Sequence, residues 1–177
     1  MIKPSLFIFA GILLPFYAGA TSFTTNVTGG TVTSNLSMTV KASCSAAVED
    51  VAFGDQAAGD IKQGTVADKI MSLAIACDTT MANYTLTFTA ADGTKDATSG
   101  IINTKLNSTV GYQLTWGDST VKPVDTAVTV NGAAITPSNK PTTASFSIPI
   151  KVKPVAMGEI VSPGAANTAL NIKLTFN

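Results

Sequence analysis

From Leu170 to Asn177 apolar and polar side chains alternate one for one. Leu170, Ile172, Leu174 and Phe176 fall on one parity, and Asn171, Lys173, Thr175 and Asn177 on the other. Successive side chains of an extended chain point to opposite faces, so this pattern predicts a strand with one face for a core and one for water. The same period of two recurs upstream: Leu36, Met38, Val40, Ala42 and Cys44; Leu73, Ile75 and Cys77; Tyr84, Leu86 and Phe88; Val110, Tyr112, Leu114 and Trp116; Phe146, Ile148, Ile150 and Val152. Turn-forming clusters divide the runs, namely ADG (91–93), WGD (116–118), NGAA (131–134), TPSNKP (136–141) and SPG (162–164). No long segment has a helical period, although QGTVADKI (63–70) has room for a short turn. Short strands separated by frequent Gly and Pro turns predict an all-β sandwich.

The chain opens with Lys3, an apolar run from Leu6 to Leu14 and the small-residue site Ala18-Gly19-Ala20. This is the pattern of a secretory signal peptide over 1–20, with the mature chain starting at Thr21. The run is too short for a membrane span of ~20 residues. The remaining residues, 21–177, suffice for one domain with a real core.

In an exported chain, the pair Cys44 and Cys77 predicts one disulfide, with two free buried thiols as the alternative. Each cysteine lies on the apolar parity of its own run, so both are expected to point into the core. Closing that loop would contribute ~3–4 kcal/mol.

The inventory excludes much chemistry. There is no His, and all 11 basic residues are Lys. Without His there is no Ser-His-Asp or Cys-His arrangement, and two Cys alone fall short of a zinc set. No metal or cofactor is expected. Charged residues are 12% of the chain and the formal net charge is zero, which offers nucleic acid or an anionic membrane nothing to bind. Glu49, Asp50, Asp55, Asp60 and Asp68 are the only crowd of carboxylates from which a glycosidase pair could be drawn, and they read better as solvated loop charge. Trp116 and Tyr112 share a parity and suit a sugar site, or more simply the core or a sheet face. Asn26, Asn35, Asn83 and Asn107 begin Asn-x-Ser/Thr triplets, which a Thr-rich chain produces by chance.

The stretch TSFTTNVTGGTVTSN (21–35) is extended in character and weakly apolar, with Phe23, Thr25, Val27, Gly29 and Thr31 on one parity. It reads either as a loose tail or as a strand with nothing of its own to pair with.

These features together resemble the pilin subunits of chaperone–usher fimbriae. The resemblance rests on LSMTVKASC with its cysteine near the strand end, on LAIAC some thirty residues later, and on the N-terminal extension. It rests also on a C-terminal strand with Gly164 fourteenth from the end and an aromatic, here Phe176 rather than Tyr, in the penultimate place. The resemblance implies an incomplete immunoglobulin-like sandwich over 36–177, completed by a donor strand from a neighbouring subunit. It implies that residues 21–35 are that donor, with Phe23, Thr25, Val27, Gly29 and Thr31 entering the neighbour's groove and the register open between Gly29 and Gly30. Gly164, Leu170, Ile172, Leu174 and Phe176 would form the edge that a periplasmic chaperone and then another subunit engage. The implied function is that of a non-enzymatic structural subunit of an adhesive pilus, exported through the periplasm to an outer-membrane usher and displayed on the cell surface. Its implied partners are other pilins, a chaperone and an usher, with a tip adhesin left open. The alternative is a secreted lectin-like adhesin, or a pilin-like coat or biofilm protein, that binds through a pocket of its own.

Overall fold

The structure, a computed structural model, describes residues 37–38, 43–80 and 83–176. The expected signal peptide (1–20), the expected donor stretch (21–35), Asn26 and Asn35 therefore lie outside the described residues. The chain divides into two compact units, Met1–Thr39 and Val40–Asn177, and the strands and helix described below all belong to the second.

Among the described residues, nine strands and one short helix make up this unit. They are β1 (Cys44–Val48), α1 (Ala58–Gln63), β2 (Lys69–Cys77), β3 (Tyr84–Ala90), β4 (Thr94–Asp96), β5 (Ile101–Asn103), β6 (Val110–Trp116), β7 (Ala134–Ile135), β8 (Ser145–Ala156) and β9 (Leu170–Phe176). They form a six-stranded sheet in the order β1-β2-β8-β6-β5-β4 and a three-stranded sheet in the order β7-β3-β9, antiparallel throughout.

The alternation fixes which side chains meet between the sheets. Leu73 and Ile75 of β2, Leu114 and Trp116 of β6, and Ile148 and Ile150 of β8 are buried. From the smaller sheet Tyr84, Leu86 and Phe88 of β3 face them, also buried, while Thr85, Thr87 and Thr89 turn outward. Phe88 meets Trp116 edge to face, with ring centroids 5.7 Å apart, and so ties the two sheets together.

Strand β8 carries Pro149 and Pro154, which a central strand ordinarily excludes for want of an N–H. The stagger of its neighbours resolves this. β2 pairs with β8 from Ser145 to Val152, and β6 pairs with it from Ile150 to Ala156. Pro149 thus lies beyond the end of the β6 ladder, and its carbonyl accepts instead from the Gly117 N–H at 2.8 Å. In an antiparallel ladder a residue's N–H and C=O point the same way and alternate along the strand. The missing N–H of Pro149 therefore faces past the end of β6, and that of Pro154 past the end of β2. Neither ring removes a ladder bond. A Cβ on Gly117 would come within 2.9 Å of Pro149, so this crossing needs glycine.

The short turn allowed for in 63–70 is the close of a helix: α1 ends at Gln63, Gly64 closes it in the left-handed conformation at φ 68°, and Lys69 and Ile70 already belong to β2. Of the strand expected from Leu36 to Cys44, only Ser37, Met38, Ser43 and Cys44 are described. β1 begins at Cys44 and runs on to Val48.

Cys44 and Cys77 form the disulfide. They are direct partners in the β1–β2 ladder, so the bridge joins neighbouring strands of one sheet. Cys77 packs against the core, but both cysteines are only half-buried. The expectation that both point into the core is corrected in that respect. They sit at the outer pair of strands, where the second sheet covers them incompletely.

Candidate functional site: an open strand edge above an apolar cavity

β9 pairs with β3 along its whole length, from Ala90 opposite Leu170 to Tyr84 opposite Phe176. On its other side it has no strand partner among the described residues. β1, at the margin of the larger sheet, likewise pairs only with β2 among the described residues. Burial follows this asymmetry. The inward residues of β3 are 0–2% exposed, whereas Leu170, Ile172, Leu174 and Phe176 all pack on the core yet remain only half-buried. On β1, Val48 is 47% exposed.

Such an edge offers unpaired N–H and C=O groups beside an apolar face, the arrangement most prone to pairing with another chain. Natural edges are blunted by prolines, bulges or several charges. β9 has no proline, keeps an unbroken register against β3, and carries Lys173 as its one charged residue.

At the Leu170 end the edge opens into a cavity of about 400 Å³. Val48 at the end of β1 and Leu170 at the start of β9 both line it, which places the two sheet margins on one opening. Its floor is the inner face of the larger sheet, including Met71, Leu114 and Val152. Phe53 and Tyr112 stand between this cavity and a larger cleft of about 770 Å³, which they also line. At the far end of β9, Tyr84 packs on Phe146 with centroids 5.4 Å apart, and its buried hydroxyl has no hydrogen-bond partner among the described residues. Burial, with a smaller contribution from Asp118, pushes the Tyr84 pKa up to about 12.

The residues singled out in the sequence separate cleanly. Leu170, Ile172, Leu174 and Phe176 lie together on β9. Gly164 does not share that edge. It sits in the run before β9, at φ 147°, and lines the larger cleft. Trp116 is 1% exposed and Tyr112 gives its hydroxyl to the Ala166 carbonyl at 2.7 Å, so this pair presents no aromatic platform to a sugar. Glu49, Asp50, Asp55, Asp60 and Asp68 are exposed and spread from the end of β1 to the start of β2. Among the described residues no group of three or more His, Cys, Asp or Glu is placed to hold a metal. Asn107 is buried, donates to the Ser162 carbonyl at 2.8 Å and accepts from the Thr109 N–H and hydroxyl, so its amide is committed to the fold. Asn83 is exposed. The cavity is not legible in the sequence because six separate segments build it. Its one local signal is Val51 and Phe53, an apolar pair of the strand period in an otherwise polar stretch.

A family model for the Spore Coat Protein U domain matches residues 30–165. No curated protein matches the sequence. Among solved structures, the P pilus rod subunit PapA is similar at a TM-score of 0.59 and 14% identity, over 76% of this chain and 99% of that one. A chain from a chaperone–usher pilus, solved in a study of rod uncoiling, is similar at 0.59 and 14% identity, over 86% of this chain and 99% of that one. Both neighbours are structural parts of pili, not enzymes. At this identity the likeness concerns the fold, which is the incomplete immunoglobulin-like sandwich of pilin subunits. The match over residues 30–165 spans most of the sequence, and the chain belongs to the Spore Coat Protein U domain family.

Proposed function

We propose that this protein is a structural subunit of a chaperone–usher fimbria that polymerises by accepting a strand from its neighbour. The observation that carries this reading is the free edge of β9, with Leu170, Ile172, Leu174 and Phe176 half-buried above an apolar opening. An added strand would pair with the open main chain and fill the opening with alternate side chains, so affinity and register would come from one event. The donor on this reading is residues 21–35 of another copy, with Phe23, Thr25, Val27, Gly29 and Thr31 facing inward. A periplasmic chaperone holds the edge first, an outer-membrane usher receives the subunit, and the fibre stands outside the cell. Donor and acceptor lie on different parts of each copy, so the contact is head-to-tail and does not close on itself.

The test is to co-express the chain with a periplasmic chaperone, starting either at Thr21 or at Leu36, and to measure assembly after release. The longer form forms a ladder of oligomers and the shorter does not. Two monomeric products would contradict the proposal. The family's description as a spore coat domain favours a second reading, a secreted coat protein acting through its own pocket. The burial of Trp116 removes the most obvious sugar platform for that activity.

A further inference from the structure

The cavity beneath the β9 edge has one wall made by the run Ala166–Leu170, which leads from the outer loops into the strand. This run belongs to no strand before Leu170, and a few bonds hold it. The Lys105 N–H donates to the Asn167 carbonyl and the Ala91 N–H to the Ala169 carbonyl, both at 2.9 Å. Both donors sit in turns flanking the short outer strands. The bond from the Tyr112 hydroxyl to the Ala166 carbonyl, 2.7 Å, differs in kind. Tyr112 is on β6 with its ring on the inner face, so its bond crosses the sandwich from the larger sheet to the lead-in of the smaller one.

Two neighbours sharpen the picture. Phe53 stacks on Tyr112 with ring centroids 5.7 Å apart and 25° between planes, which keeps the phenol directed across the gap. In the same wall the buried Thr168 hydroxyl oxygen has no partner among the described residues, so it adds no bond to hold this run. Burial holds the Tyr112 hydroxyl protonated above the ordinary tyrosine range, so it remains a donor.

We infer that Tyr112 is a positioning residue for the acceptor edge: its bond to Ala166 fixes the wall of the cavity, and so governs how long an incoming strand is retained at this end. The inference rests on the strand-accepting reading above. Residues elsewhere in the core stabilise the fold with and without a donor. Tyr112 is set apart because what it holds is the lining of the opening.

The test uses Tyr112→Phe, which keeps the ring and its stacking and removes only the hydroxyl. A labelled peptide of residues 21–35 is bound to the chain starting at Leu36, which carries no donor stretch of its own, and its release is timed in excess unlabelled peptide. Losing one hydrogen bond speeds release about fivefold, while the melting temperature of the peptide-free chain moves little. Amide exchange over 166–170 also quickens in the variant, with exchange in β2 and β8 unchanged. Equal release by the two chains, or unchanged exchange over 166–170, overturns the role given to Tyr112 and leaves the acceptor reading intact. A wild-type chain that takes up no peptide removes the acceptor reading, and this inference with it.

Discussion

Tyr84 and Phe176 stand directly opposite one another in the β3–β9 ladder, yet Tyr84 is 2% exposed and Phe176 only half-buried. Tyr84 is covered by Phe146 of β8, with ring centroids 5.4 Å apart, whereas Phe176 lies on the margin strand, which among the described residues has one neighbour. The same contrast repeats at Leu86 against Leu174 and at Phe88 against Ile172. It is the structural signature of a sandwich short of a strand at its margin.

The Leu86–Leu174 pair turns that contrast into energies. Leu86 is fully buried, so Leu86→Ala should destabilise the chain by about 2–5 kcal/mol, with or without a donor peptide. Leu174→Ala leaves a space already open to water and should cost about 1 kcal/mol in the peptide-free chain. Its cost should rise when the peptide is bound, because the donor strand then buries the site. Urea unfolding of both variants, with and without a peptide of residues 21–35, measures the difference.

Cys44 and Cys77 staple β1 to the sheet, and beyond its ladder with β2 the strand buries little to hold it, since all its residues after Cys44 are exposed. Replacing both by Ser should lower stability by about 3–4 kcal/mol. Chemical denaturation under oxidising and reducing conditions checks this: wild type should fall to the level of the double variant on reduction, and the variant should not respond.

Tyr84 should make the fold sensitive to alkali. Its folded pKa of about 12 lies above the ordinary tyrosine value of 10.0. The folded state therefore keeps the proton longer than the unfolded one. The resulting stability is fully present below pH 10 and is lost as pH rises through about 12. Tyr84→Phe should flatten much of that decline, leaving the part due to Tyr112, whose pKa burial also raises. Melting temperatures of both chains across this range, with tyrosinate absorbance recorded in parallel, provide the test. The variant should be no less stable near neutrality, because it removes a buried hydroxyl that has no partner among the described residues.

The elements readable in the sequence are those where burial on one face meets water on the other. β2, β3, β6, β8 and β9 alternate because each has one wetter side, and so β9 with its open edge stands out. β1 does not, since CSAAV offers no contrast between its faces, and the neighbouring run from Leu36 carries the stronger pattern. β4, β5 and β7 have two or three residues each, too few to set a period. α1 has six residues and no buried one, so no helical stripe marks it. Trp116 is ambiguous in sequence between core and sugar platform, because parity says which face a residue takes and not what covers that face. Gly164 is assigned to the edge strand by resemblance, whereas its position in the fold is in the preceding run. The cavity depends on Phe53, Tyr112, Met71 and Thr168 meeting in space, which no local pattern encodes.

The central claim is that the sandwich lacks a strand and that residues 21–35 supply it between copies. It is tested most directly by comparing the thermal unfolding of two forms of the chain. One lacks residues 21–32. The other carries the same stretch behind Asn177 on a flexible linker, so that it can fold back beside β9 at high effective concentration. The account predicts that the first aggregates or melts early, and that the second is a monomer with a much higher melting temperature. Two stable monomers that melt alike would contradict it, because the sandwich would then be complete without a donor.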